Sequence, residues 1–272
     1  VSPYRDPFQV VTGGALPDVL ICSGLDPSGG AGLIADVRVV SALGARPVGV
    51  VTSQTVQDTQ GMRSYHDVDP DVLGAQLVSL LSDIEVRAVK IGLVPSRAVA
   101  TELGNALELT GAPVVWDPVN APSLGDIRLD RNVFDDTLAA LGRHLTLITP
   151  NVRELAELGQ RTIRTLEEAI AAGAALAAII GAAVLVKGGH LATTGTDAID
   201  VLIMKNTVEE LRGPRIARGE DVHGTGCALS SAIAAHLARG FELVEACRAA
   251  KQFVASRIAT PVRPGRGAAA VV

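Results

Sequence analysis

At 272 residues the chain is long enough for one large α/β domain or two small ones. Hydrophobic residues at 48% supply a sizeable core, while 24 basic against 29 acidic residues, net −5, exclude nucleic acid held by bulk charge. Aromatics at 3% exclude base-stacking platforms, and three cysteines with no CxxC spacing exclude a disulfide framework or a zinc site and fit a reducing interior.

The opening VSPYRDPFQVVTGGALP has no basic region followed by a long apolar run, so no secretory signal is expected there. Strands are expected at 19–22, 48–52, 88–91, 114–116, 145–148 and 183–186, each a continuous Val/Ile/Leu run. Continuous runs imply burial on both faces, as in a parallel sheet between helical layers. Helices are expected near 30–43, 70–82, 95–110, 131–142, 152–158 and 165–180, and this alternation implies right-handed βαβ crossovers. Residues 169–186 carry no charge over a membrane-span length, but the stretch is Ala-rich and contains Gly173 and Gly181. Thr165 to Glu168 reads as a capping box that starts a helix, Gly181 as its stop, and AAVLVK as a buried strand, so no membrane partner is expected. Two further strands, 198–204 and 208–211, flank the turn KNT, and helices follow at 225–239 and 242–258. Residues 1–16 and 261–272 read as loose ends. With no repeat and no composition break, 1–272 reads as a single domain with its core at about 19–258.

Ligands of such sheets bind beyond the carboxyl ends of the strands. There the chain places SGLDPSGGAG, TSQTVQDTQG, GLVPS, DPVNAPSLGD, TPNVRE and KGGH. Gly30, Gly32 and Ala35 nearly match a dinucleotide fingerprint, but the loop before them is too long and the second strand ends without an acidic residue for a ribose. In DVHGTGC (221–227), Gly224 and Gly226 flank Thr225 ahead of a long helix, an arrangement that exposes backbone N–H groups to an anion such as phosphate. Cys227 falls in the first turn, where a lowered thiol pKa suits a base in phosphoryl transfer; a small packed cysteine fits the same position. Asp117 and Glu154 are hard oxygen donors suited to magnesium, although Glu154 also fits a plain first-turn charge. Lys187, between a buried strand and two glycines, either extends its amine to solvent or approaches a triphosphate. His66, His144 and His236 show no ligand spacing and read as surface or edge residues; Cys22 and Cys247 read as packing, and Arg257, Arg263 and Arg266 as solvated.

The motifs GLDPSGGAGLIAD, VQDTQG, KIG, DPV, ITPNVRE, VKGGH and HGTGCALSSAIAA, in this order over about 19–258, give the chain a resemblance to a known family. It resembles the hydroxymethylpyrimidine/phosphomethylpyrimidine kinases of thiamine synthesis, in the ribokinase superfamily; pyridoxal kinases share much of the set. The resemblance implies a three-layer αβα sandwich with a mostly parallel central sheet. It also implies transfer of the ATP γ-phosphate to 4-amino-5-hydroxymethyl-2-methylpyrimidine, its monophosphate, or both. By position, Gly24, Asp36, Gln57 and Val119 line the pyrimidine pocket, and Asp117 and Glu154, with Asn151, hold magnesium and its waters. Lys187, Asn151, Thr225 and Gly226 serve the nucleotide phosphates, and Cys227 stands where an aspartate base is usual, with Gly224, Gly226 and Lys187 completing the catalytic set. A cytoplasmic homodimer that uses ATP as co-substrate and magnesium is implied. The chain departs from the pattern at Ala121 to Gly125, where a lysine of the loop is absent, at Asp58 in place of Asn, and at Leu93 in place of Met. The lost lysine keeps open a pyridoxal or pyridoxine kinase and a ligand-binding homologue without chemistry.

Overall fold

A computed structural model describes residues 15–120, 127–189, 197–216 and 219–272. In chain order these form β1 (Asp18–Leu25), α1 (Gly32–Ala42), β2 (Arg46–Asp58), β3 (Gly61–Asp67), α2 (Pro70–Asp83), β4 (Val86–Ile91) and α3 (Arg97–Leu107). They continue with β5 (Val114–Trp116), α4 (Arg131–Leu141), β6 (Leu145–Ile148), α5 (Val152–Leu158), α6 (Leu166–Ile180), β7 (Ala183–Val186), β8 (Asp197–Met204) and β9 (Thr207–Pro214). The last are β10 (Val222–His223), α7 (Thr225–Ala238), α8 (Leu243–Ala259) and β11 (Ala269–Ala270).

Among the described residues the main sheet runs β3-β2-β1-β4-β5-β6-β7-β8-β9. From β2 through β7 every pairing is parallel, and β3, β8 and β9 pair antiparallel at the two edges. Along β1, Leu20 and Cys22 enter one apolar cluster and Val19 and Ile21 the other, so an unbroken apolar run feeds both faces. The first cluster lies under α2 to α6, the second under α1, α7 and α8; this is the expected three-layer sandwich.

Local chemistry sets the helix ends. Thr165 and Glu168 form the capping box of α6, and Gly181 closes it in the left-handed region at φ 69°, before β7. The uncharged stretch is therefore a helix and a strand, and no helix among the described residues is long and apolar enough to cross a membrane. Three expectations are corrected. The polar stretch after β2 is a hairpin: β2 continues to Asp58 and β3 returns against it. The C-terminal end is not loose, since Ala269 and Ala270 pair with Val222 and His223, and Gly267 and Ala268 donate their N–H groups to Thr59. His236 is fully buried in α7 against Phe241, with neither ring nitrogen partnered, whereas His66 is exposed and His144 half-buried.

Candidate active site

A cavity of about 850 Å³ opens at the carboxyl ends of the parallel strands. It is lined from β1 (Ser23, Gly24), the hairpin (Gln57, Met62, Tyr65), the ends of β4, β5, β6 and β7, and the first turn of α7. The strand order reverses between β1 and β4, where such folds bind ligands. α7 begins at Gly224 with φ 80°, and a Cβ there would overlap the Gly30 carbonyl oxygen, so only glycine brings the two loops together. No side chain caps this end, and the N–H groups of Thr225, Gly226 and Cys227 begin the helix at the cavity wall.

Across from them, Lys187 Nζ lies 2.7 Å from Asp117 Oδ1 and 3.7 Å from Glu154 Oε2. A Cβ on Gly226 would sit 3.1 Å from that ammonium and 3.7 Å from Asp117 Oδ2, so the group stands directly over the helix end. Glu154 is fixed by the capping box of α5, in which Asn151 Oδ1 accepts from Glu154 N and the Asn151 N–H donates back to Glu154 Oε2 at 2.7 Å. Burial pushes the Asp117 carboxyl up, but the Lys187 and Lys90 ammoniums outweigh it and hold the group below the usual range. Glu154, where burial dominates, Lys187 only partly compensates and Asp117 repels, is raised to about 7. Lys187 loses by burial and gains more from the two carboxylates, so it stays charged.

Among the described residues no cluster of three or more His, Cys, Asp or Glu forms a protein cage for a metal. Two buried carboxylates on the wall of the cavity, facing the uncapped start of α7, fit magnesium, which keeps most of its waters and takes its other ligands from phosphate oxygens. Asp117 and Glu154 are the residues that would hold it.

Cys227 is half-buried and faces the cavity. The Gly32 N–H favours its thiolate and the Asp117 carboxylate opposes it. The expectation of a lowered pKa is overturned. Burial first, then the Asp117 and Asp36 carboxylates, raise the thiol to about 12 against the pull of Lys90. The helix end does not make a standing thiolate because burial of the sulfur and the nearby carboxylates outweigh it.

Gly24, Gln57 and Val119 line the other arm of the cavity, with Leu93 against Gly24. Asp36 does not join them: its side chain is wholly buried behind the wall. Lys90 Nζ contacts its Oδ2 at 2.6 Å, and Ser23 and Ser231 donate to it at 2.7 Å. It ties β1, β4, α1 and α7 together under Cys227, so it supports the pocket from behind. Sequence reasoning missed Lys90, Asp26 and His223. Lys90 and Asp26 are buried carriers of charge, and a lysine inside the apolar run of β4 was the available signal. Residues 121–126, where the family lysine is absent, and His190 lie outside the described residues.

A mostly parallel three-layer sheet whose strand ends carry an uncapped helix N-terminus, a lysine and two carboxylates defines a ribokinase-like phosphotransferase. The chain belongs to the phosphomethylpyrimidine kinase family, whose model matches residues 26–272. It is 39% identical over 257 residues to a hydroxymethylpyrimidine/phosphomethylpyrimidine kinase of Rhizobium meliloti (strain 1021), covering 91% of this chain and 94% of that one. Its fold is similar to phosphomethylpyrimidine kinase from Clostridium difficile 630 (TM-score 0.76, 31% identity, 89% of this chain and 99% of that one). It is similar also to pyridoxal kinase from Staphylococcus aureus in complex with AMP-PCP and pyridoxal (TM-score 0.85, 28% identity, 95% and 94%).

Proposed function

We propose that the chain transfers the γ-phosphoryl group of ATP to the hydroxymethyl oxygen of 4-amino-5-hydroxymethyl-2-methylpyrimidine, and then to the phosphate so formed, in thiamine biosynthesis. One observation carries this reading: a single cavity joins the uncapped start of α7, Cys227 and Lys187 to Gly24, Gln57 and Val119. The nucleotide phosphates lie on the Thr225 to Cys227 amides, and Lys187 and Asn151 flank them. Held by Asp117 and Glu154, magnesium would neutralise phosphate charge. Gln57 holds the ring edge so that the hydroxymethyl oxygen faces the γ-phosphorus. The oxygen–phosphorus bond forms as the bond to the leaving ADP oxygen breaks, and Cys227, once its own proton has left to solvent, takes the hydroxyl proton as thiolate. In the second transfer the acceptor is a phosphate oxygen, already deprotonated, so no base is required there. We extend the reading to a homodimer working in the cytoplasm, on the family resemblance; sedimentation and fractionation test it.

The test is ATP consumption with the pyrimidine, its monophosphate and pyridoxal in parallel. Phosphorylation of the two pyrimidines supports the reading. Phosphorylation of pyridoxal alone, or binding without turnover of any, overturns it. Cys227→Ala is expected to lose most of kcat for the alcohol, to lose far less for the monophosphate, and to keep nucleotide binding; unchanged kcat for the alcohol removes Cys227 as the base. Glu154→Gln is expected to raise the magnesium requirement, and a titration identical to wild type removes that assignment.

A further inference from the structure

We propose that His223 fixes which way the Gln57 amide points, and thereby which edge of a pyrimidine ring the pocket accepts; the inference rests on the pyrimidine reading above. Gln57 lies between two partners. Its Oε1 is 3.3 Å from Thr55 Oγ1, and its Nε2 is 3.3 Å from His223 Nε2. That same histidine nitrogen is 3.4 Å from Asp26 Oδ2.

The protons decide the orientation. Thr55 has one hydroxyl proton, and the Leu25 carbonyl, 2.8 Å away, can only accept, so it takes that proton. The Thr55 oxygen then offers lone pairs to Gln57, which calls for the amide nitrogen on that side. At the other end, Asp26 accepts from the Ser28 N–H, the Ser28 hydroxyl and the Ala31 N–H. Although burial pushes this carboxyl up, its hydrogen bonds to His223 and Ser28 keep it low, so it stays an acceptor. His223 Nε2 must therefore carry a proton, and the Gln57 atom beside it must be the carbonyl oxygen. Both ends demand the same exchange of Oε1 and Nε2 by a half-turn of the amide. With it, His223 Nε2–H is shared by Asp26 and Gln57 Oε1, and a Gln57 N–H reaches Thr55. His223 Nδ1 is buried without a partner, in keeping with a proton held on Nε2.

The ring is well held. Val222 and His223 pair with Ala269 and Ala270, and Gly30 makes room for the imidazole, since a Cβ there would lie 2.8 Å from His223 Cδ2. Pinned this way, Gln57 presents its remaining N–H and lone pair in a fixed order. A 4-aminopyrimidine edge offers a donor beside an acceptor, and the 4-oxo analogue offers the reverse. An amide free to turn would serve both; a pinned one serves one. His223 is thus a positioning residue that sets specificity.

The experiment measures binding of the 4-amino and 4-oxo pyrimidines by calorimetry, and kcat/KM for both, in wild type, His223→Ala and His223→Gln. Wild type is expected to prefer the amino compound by about 100-fold or more. His223→Ala is expected to cut that ratio at least tenfold by improving the oxo compound, and His223→Gln, which keeps an N–H near the Nε2 position, to restore much of it. An unchanged ratio in folded His223→Ala overturns the inference, even if kcat falls. Should that variant fail to fold, the near-isosteric Thr55→Val removes the lone pair at the other end, and a ratio unmoved there overturns it equally. Wild type binding neither ring overturns the pyrimidine reading itself, and binding without turnover overturns only the kinase reading.

Discussion

The state of the Cys227 thiol gives the sharpest test of how the site works. At a pKa of about 12, roughly one molecule in 10⁵ carries a thiolate at neutral pH, against about one in thirty for an ordinary cysteine near 8.5. The more basic thiolate is also the better nucleophile, with a Brønsted slope of about 0.4–0.5, so part of the loss returns. The net expectation is alkylation about a hundredfold slower than a free thiol at pH 7. Cys22 and Cys247 are buried, so they give little background, and Cys227→Ala supplies the blank. The assay is iodoacetamide labelling of the ligand-free chain from pH 6 to 10, read by mass spectrometry of the peptide that contains Cys227. The rate is expected to climb about tenfold per pH unit without a plateau. A plateau with its midpoint below pH 9 would refute the argument that burial and the flanking carboxylates outweigh the helix end. The consequence for mechanism is that the base is the scarce thiolate form, since a protonated thiol cannot accept the hydroxyl proton, so kcat for the alcohol is expected to rise with pH through the neutral range.

Lys90→Met leaves Asp36 buried with only the Ser23 and Ser231 hydroxyls, and is expected to cost about 3–5 kcal/mol in urea unfolding. Adding Asp36→Leu should recover most of it, and a single-variant loss under about 1 kcal/mol would contradict the pairing. His236 is depressed to about 4 by burial and by Arg239, so it stays neutral in the folded chain while the unfolded chain takes up a proton below pH 6.5. Stability therefore falls by about 1.4 kcal/mol per unit as pH drops from 6.5 towards 4, and His236→Leu should remove that slope; parallel pH profiles for the two proteins would count against it. Gly226→Ala sets a methyl group against the flexible end of Lys187, so the melting temperature should hold while nucleotide Kd rises at least about tenfold; unchanged Kd would mean phosphate does not approach there.

The elements that sequence reasoning found are those in which one local pattern determines the outcome. The run at Val19 to Cys22 needs only burial on both faces, and Thr165 with Glu168 needs only each other. The hairpin was missed because β3 reads GMRSYHD, an edge strand with little apolar content and no Asn-Gly turn before it. The final strand, Ala269 and Ala270, has no propensity of its own, and its pairing with Val222 and His223 joins segments far apart in the chain. The site shows the same division. Gly224, Gly226, Cys227, Lys187, Asp117 and Glu154 were legible because each follows a strand or opens a helix. Asp36 was misplaced because its partner, Lys90, is 54 positions away, and only the fold reveals that the two charges neutralise each other out of the cavity.

The same pairing bears on how a site of buried charges takes a highly charged substrate. Lys90 answers Asp36 behind the wall, and Lys187 answers Asp117 and Glu154 at the wall. Lys90 and Asp36 cancel, while Lys187 alone faces two carboxylates and leaves no spare positive charge, so a triphosphate entering alone would add uncompensated negative charge to a low-dielectric space. Lys187 Nζ has three protons; Asp117 takes one at 2.7 Å, Glu154 lies farther off at 3.7 Å, and the ammonium already stands over Gly226. It can turn a proton towards phosphate on the helix end without leaving Asp117, which a planar guanidinium at this spacing could not do. The compactness of the ammonium, and the absence of a side chain on Gly226, thus serve one purpose: they let a single cation hold the carboxylates apart from the phosphates and still touch both.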